Sequence, residues 1–219
     1  MTQGMNITLL NHMGDDIMVA NTARVSFAKE VTVFGEADKK IIKYLATHGH
    51  WSPFAHAQVQ FRIKAPIFVA RQLAKHQVGF SWNEESRRYI ESEPEFYWPK
   101  HWRGRAKDKK QGSGAAMDMD VHMLTVLEAT QNQTMINYNT LLDQGVAPEQ
   151  ARIILPVNML TEWIWTGSLY GWARVCKERL APDAQFETQL VAQEISASCR
   201  ELFPVSWKEL LFNVSSTSR

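Results

Sequence analysis

"HAQVQFRIKAPIFVARQLAKHQ", residues 56–77, changes its hydrophobic period halfway along, and that change sets the fold class. From 56 to 64 the side chains alternate, with Ala57, Val59, Phe61 and Ile63 on one side and polar residues on the other, as in a strand with one buried face. Pro66 then suits the start of a helix, and the run to Gln77 reads as helical. Upstream, "EADKKIIKYLATHGH" (36–50) puts Ile41, Ile42 and Leu45 on one helical stripe with Gly49 near its stop. In "SPF" Ser52 is placed to cap, and Pro53 to turn the chain or open a helix. Downstream, residues 119–145 predict a long helix ending at Gly145, and 148–155 a short one between prolines. Residues 157–180, 183–203 and 204–212 predict three more helices. "RGRAKDKKQGSGAAMDMD" (103–120) is polar and glycine-containing and reads as an exposed loop, whose basic residues are either solvated or near a phosphate. Strands near the front and long helices behind give an α+β class, read as one domain over 1–219.

The composition excludes several classes. A chain of 219 residues with 45% hydrophobic side chains can bury a good core and is not a disordered chain. A net charge of +1 confines any basic site to a local patch, so no nucleic-acid partner is expected. Two cysteines, Cys176 and Cys199, fit a reducing compartment without a disulfide framework. "MTQGMNITLL" lacks the pattern of a signal peptide, and no apolar run approaches the roughly 20 residues of a membrane span, so a cytoplasmic protein with no membrane association is expected. Eight tryptophans, ten phenylalanines and five tyrosines serve either an aromatic core or the stacking of a planar ligand.

Chemistry concentrates in "KHQVGFSWNEESRRY" (75–89). Ser86, Arg87 and Arg88 supply a hydroxyl, backbone N–H groups and guanidinium forks, a set that holds a phosphate monoester. Arg152 and Arg179 sit among apolar helical residues and need a partner, either a structural carboxylate or a ligand. No HExxH, paired Cys/His spacing, GxGxxG or GxxxxGK[ST] occurs, and His48, His50 and His56 come without a carboxylate, so no metal is expected. Cys176 has Arg174, Lys177 and Arg179 near enough to lower its pKa, although a packed helix cysteine is the commoner case. Glu84 and Glu85 point opposite ways in an extended segment, which argues against a glycosidase pair. The residues therefore describe a pocket for a phosphorylated, planar ligand in which the protein positions and a cofactor reacts.

"HGHWSPFAH", a strand, "KAPIFVARQLAKH" and "SWNEESRRY", followed by "ARIILPVNMLTEWIWTGSL" and "LAPDAQFET", closely resemble the flavin-dependent thymidylate synthase family in order and spacing, over about residues 20–210. The resemblance implies an α+β fold with a small antiparallel sheet packed against several long helices, and a homotetramer whose active sites are shared between subunits. It implies conversion of dUMP to dTMP, with methylenetetrahydrofolate as carbon donor, FAD as hydride carrier and NADPH as reductant. Carried over by position, Gln72, Glu84, Ser86, Arg88 and Arg152 match residues that hold dUMP. The charged neighbours Lys75, Glu85 and Arg87 are grouped with them. Arg179 matches the arginine set against the uracil ring, where a fixed cation would make C5 a better nucleophile; it is the expected catalytic residue. His50, Ser52 and Asn83 match flavin-contacting positions.

This chain departs from the family on the flavin side. The usual arginine-histidine-arginine signature reads Lys75-His76-Gln77, and the loop after it is one residue longer. Further on, Ser168, Tyr170 and Arg174 stand where many members have Asn, Arg and Asn or His. Arg174, one helical turn from Tyr170, would restore lost positive charge, as expected of a coherent subfamily with a remodelled flavin pocket. Two other readings remain: a related enzyme that methylates or hydroxymethylates another pyrimidine nucleotide, and a nucleotide-binding protein that has lost its flavin.

Overall fold

The alternation in 56–64 yields the strand it predicts, and the rest of the fold is built on it. The computed structural model describes residues 4–90, 92–106 and 112–212. In chain order the elements are β1 (Asn6–Met13), α1 (Asp16–Arg24), α2 (Glu36–Thr47), α3 (Ser52–His56), β2 (Gln58–Pro66), α4 (Ile67–Leu73), β3 (Phe80–Glu84), β4 (Trp102–Arg105), β5 (Ser113–Met117), α5 (Val121–Asp143), α6 (Pro148–Ala151), β6 (Leu160–Ser168), α7 (Leu169–Arg179), α8 (Phe186–Leu202) and α9 (Pro204–Phe212). Strands β1, β2, β6 and β3 form an antiparallel sheet in that order, and β4–β5 form a separate two-stranded hairpin.

One face of the sheet is the core. Val59, Phe61, Ile63 and Ala65 of β2 are fully buried, as are Trp165 and, nearly so, Trp163 of β6. The alternate residues Gln58, Gln60, Arg62 and Lys64 stay at least partly open to water, the usual economy of an antiparallel sheet covered on one side. Trp172 of α7 packs edge-on against Phe61, Phe80 and Trp165, with ring centroids 5.1, 4.8 and 4.7 Å away. Most of the tryptophans are therefore core rather than ligand platforms. The two chain ends are joined by Asp16, whose carboxylate accepts from Val205 N and Ser206 N at 2.8 Å each and so caps α9 from α1.

Four expectations are corrected. Residues 157–180 are not one helix: β6 occupies Leu160–Ser168, and α7 starts at Leu169, with the Ser168 hydroxyl accepting from Gly171 N at 3.1 Å. The stretch "TEWIWTGS" is aromatic and β-branched with period two, and only Gly167 and the capping Ser168 stand between it and a true helix. Residues 80–84 form β3 rather than a loop, because Phe80, Trp82 and Glu84 pair with Gly167, Trp165 and Trp163. The expected loop 103–120 is partly the β4–β5 hairpin; residues 107–111 lie outside the described residues. Ser52 is the first residue of α3 rather than its cap, and Trp51 precedes it without a side-chain capping bond. Helices α2, α5, α6, α8 and α9 follow the sequence reading and α1 is not part of it; α4 ends at Leu73 and leaves Lys75-His76-Gln77 in the turn before β3.

Candidate functional site

The charged stretch 75–89 brackets β3, so its two ends serve different cavities. At the far end, Glu85 N extends the ladder by donating to Glu162 O at 2.9 Å, after which the chain turns with Tyr89 N on Ser86 O. Arg87 folds inward, its guanidinium bonded to the carbonyls of Ser92 and Glu93, with Nε buried and without a partner. Arg88 points outward, 3.1 Å from a Glu149 oxygen and over the Tyr89 ring. Glu84 is held by Thr161, which donates to Oε1 at 2.7 Å, and by Trp82 Nε1 at 3.3 Å. Partial withdrawal from water raises the Glu85 carboxyl above its ordinary value.

Glu84, Glu85 and Arg87 line a cleft of about 770 Å³ between the β3 turn, α4 and the α5–α6 junction. It brings together Glu84, Glu85, Arg87 and Arg152, together with Arg71 and Glu149, which sequence reasoning did not single out. Arg71 was discoverable as the neighbour of Gln72 on an amphipathic helix; nothing in the sequence marked Glu149 as the partner of Arg88.

A second cleft, of about 950 Å³, lies between α4, the β4–β5 hairpin, α5 and the start of α8. Gln72 and Arg179 face it, along with Trp98, Trp102 and Gln185. Gln72 is fixed at both ends of its amide, donating to Gln185 Oε1 at 2.5 Å and accepting from Thr188 at 3.1 Å. Arg103 anchors the hairpin, 3.2 Å from Glu187 Oε1 and over the Phe186 ring at 4.1 Å.

The third cavity is small, about 200 Å³, and gathers Lys75, His76, Gln77, Arg174 and Arg179 with Phe80 and Gly171. Arg179 lines both this cavity and the second cleft. Three cations face one carboxylate, Glu178, a surplus that invites an anion. Of the other flavin-side residues, the Ser168 hydroxyl is used in capping α7, and Tyr170 lies against Trp51 at 6.2 Å. His50 stacks on Tyr44 at 5.8 Å, Ser52 is exposed beside it, and Asn83 is exposed on β3. Ser86 and Arg88 line none of the three cavities, so one chain does not bring them into a pocket with Gln72, Arg152 or Arg179.

Cys176 is excluded as a nucleophile. It is buried in α7, its thiol 3.6 Å from the Ala192 carbonyl, and burial pushes its pKa far up rather than down.

The family model described as "Thymidylate synthase complementing protein" matches residues 8–205. A flavin-dependent thymidylate synthase of Thermus thermophilus is 40% identical over 201 residues, covering 92% of this chain and 73% of the relative. Another, of Kosmotoga olearia, is 40% identical over 207 residues, covering 94% and 89%. Among solved structures, the UMP/dUMP methylase PolB of Streptomyces cacaoi, bound with 5-Br dUMP, is similar with a TM-score of 0.86 at 28% identity, covering 98% of each chain.

Proposed function

Because this chain belongs to the flavin-dependent thymidylate synthase family, we propose that it converts dUMP to dTMP, with FAD as bound cofactor, methylenetetrahydrofolate as carbon donor and NADPH as reductant. The observation that carries this reading is the division of the site. The nucleotide residues Gln72, Glu84, Ser86, Arg88, Arg152 and Arg179 are all retained, and the departures Lys75, Gln77 and Arg174 fall in one small cavity. That cavity fits the anionic part of a dinucleotide: Lys75 and Arg174 face it with Glu178 alone opposing them, while Arg179 lines the second cleft as well and is left for the nucleotide. FAD, when bound, supplies the hydride. The chain's own part is to bind, orient and hold charge. Arg88 and Arg152 are assigned to the phosphate, Gln72 with its immobilised amide to the pyrimidine edge, and Arg179 to the negative charge that develops on the ring.

The reading includes a homotetramer with shared active sites, since Arg88 and Ser86 line none of the cavities that Gln72 or Arg152 line in their own chain. A neighbouring copy would also cover α5, a 23-residue helix with Val121, Met123, Val126 and Ile136 exposed and only Tyr138 buried. The substrates are small molecules, no described helix is long and apolar enough to cross a membrane, and we assign the enzyme to the cytoplasm.

The similarity to a UMP/dUMP methylase favours a second reading, methylation or hydroxymethylation of another pyrimidine nucleotide. Mass analysis of the nucleotide after anaerobic incubation with FAD, NADPH, methylenetetrahydrofolate and either dUMP or UMP separates the two. A gain of one methylene on dUMP is the expected result; a product only from UMP, or a hydroxymethyl product, selects the second reading. Unchanged nucleotide in both incubations refutes both.

A further inference from the structure

Arg179 has a partner that the sequence reading assigned to the flavin. Its Nε donates to His76 Nε2 at 2.9 Å. A guanidinium does not deprotonate in proteins, so its Nε–H is always a donor. The bond therefore exists only while His76 Nε2 carries a lone pair, which fixes a neutral ring with its proton on Nδ1. His76 comes from the turn after α4 and Arg179 from the last turn of α7, so the contact joins elements distant in sequence.

The charged groups around His76 are Arg174, Glu178 and Arg179 on α7 and Lys75 beside it in the turn. Glu178 lies 3.9 Å from His76 Nε2, beyond hydrogen-bond reach, and 3.7 Å from Arg179 Nη2. Burial, and then Arg179, hold His76 below its ordinary pKa, with Glu178 opposing and Arg174 adding to the depression. The ring thus stays neutral, and the acceptor intact, at neutral pH. With Nε engaged, the guanidinium plane is set by the imidazole and its Nη edge is left for other partners.

We propose that His76 is a positioning residue that, as a neutral acceptor, orients the Arg179 guanidinium for the nucleotide. The proposal rests on the reading of Arg179 as the ring-facing cation. Protonation of His76 replaces the acceptor with a second cation beside Arg179, so turnover carries an acid limb that belongs to this pair.

The test uses the flavin-loaded enzyme and two variants. His76→Leu removes the acceptor and lowers kcat about tenfold or more, the range for losing a hydrogen bond to a charged group. His76→Gln keeps an acceptor on a side chain that does not titrate. It loses less than His76→Leu, and its kcat stays level across the acid range where the unsubstituted enzyme declines. In an Arg179→Ala background, His76→Leu costs nothing further, because it has nothing left to orient. Rates are taken at saturating FAD, and the flavin absorbance of each purified variant is read without turnover so that kcat refers to loaded enzyme. An acid limb that persists in His76→Gln, or additive losses in the double variant, both on loaded enzyme, would each overturn the proposal. If the unsubstituted enzyme methylates no nucleotide, the reading of the function fails instead.

Discussion

Gly167 stands opposite Phe80 in the sheet, and the two positions are locked by volume. A Cβ on Gly167 would lie 2.1 Å from Phe80 Cε1 and 2.2 Å from Cδ1. Carbon atoms at rest sit about 3.5–4.0 Å apart, so Gly167→Ala requires a shift of more than about 1 Å. The ring cannot retreat into the core, where Trp165 and Trp172 each hold it at 4.8 Å and are themselves fully buried. Nor can it slide along α7, because Gly171 is already close enough that a Cβ there would meet Phe80 at 2.9 Å. The ring must therefore leave its seat for the Lys75–Gln77 cavity, which it lines, or β3 must part from β6. Phe80 is only partly buried, so the cost is that of overpacking, about 1–3 kcal/mol, and the blocked retreat puts it near the upper end, about 3 kcal/mol. For a chain of 219 residues each kcal/mol moves Tm by about 2–4 °C, giving a fall of about 6–12 °C. Scanning calorimetry at fixed protein concentration measures it. Phe80→Leu in the same chain should recover part of the loss, although alone it destabilises. A midpoint within about 1 °C of the unsubstituted protein, or strict additivity in the double variant, would refute the steric argument.

Arg179→Ala should lower kcat by at least about 100-fold, the cost of removing one electrostatic stabiliser, and a near-normal rate in steady-state assays would mean the ring-facing role is misassigned. Gln77→Arg adds a cation to a cavity that Lys75, Arg174 and Arg179 already face, and should leave flavin binding as tight or tighter; a large loss of affinity in a fluorescence titration would count against summed charge as what holds the flavin there. Desolvation pushes the buried Asp38 carboxyl up, but the Gly35 N–H and the Arg24 guanidinium outweigh it and leave the group below its ordinary value. Its contribution to stability is therefore present above the ordinary carboxylate range and is lost as pH falls through the depressed value. Asp38→Asn should flatten the acid limb of the urea midpoint, and an equally steep limb in the variant would remove Asp38 from the account.

What the sequence made legible follows a physical line. Helices α2, α5, α8 and α9 could be read because their apolar spacing and their glycine or proline punctuation agree, as at Gly49 and Gly145, both with positive φ. Strand β2 could be read because one of its faces meets water. Strand β6 lies between β2 and β3, and only Gly167 and the capping Ser168 separate its tryptophans and threonines from α7, a signal short enough to be read as part of one helix. β1 is an edge strand with mostly exposed side chains and little pattern to read. At the site, residue types were legible but directions were not. Arg87 and Arg88 are adjacent and alike in sequence, yet one is buried against carbonyls and the other reaches Glu149. That difference is set by a turn whose partners, Ser92, Glu93 and Glu149, are remote or featureless in sequence.

The departures from the family signature acquire a common sense once the small cavity is in view. Two arginines of the signature would supply two positive charges from the turn before β3. Here the turn supplies one, at Lys75, and α7 supplies another, at Arg174, into the same cavity. Arg174 makes good one of the two positive charges lost at Gln77 and Tyr170, and Tyr170, where many members have an arginine, lies against Trp51. A diffuse anionic ligand is held by summed field more than by one fork, so a cation on α7 can stand in for one on the turn. The contact between His76 and Arg179 bridges the turn and α7, the two elements that supply Lys75 and Arg174. The one signature residue retained between the two changed ones is therefore the residue that ties the turn before β3 to the end of α7.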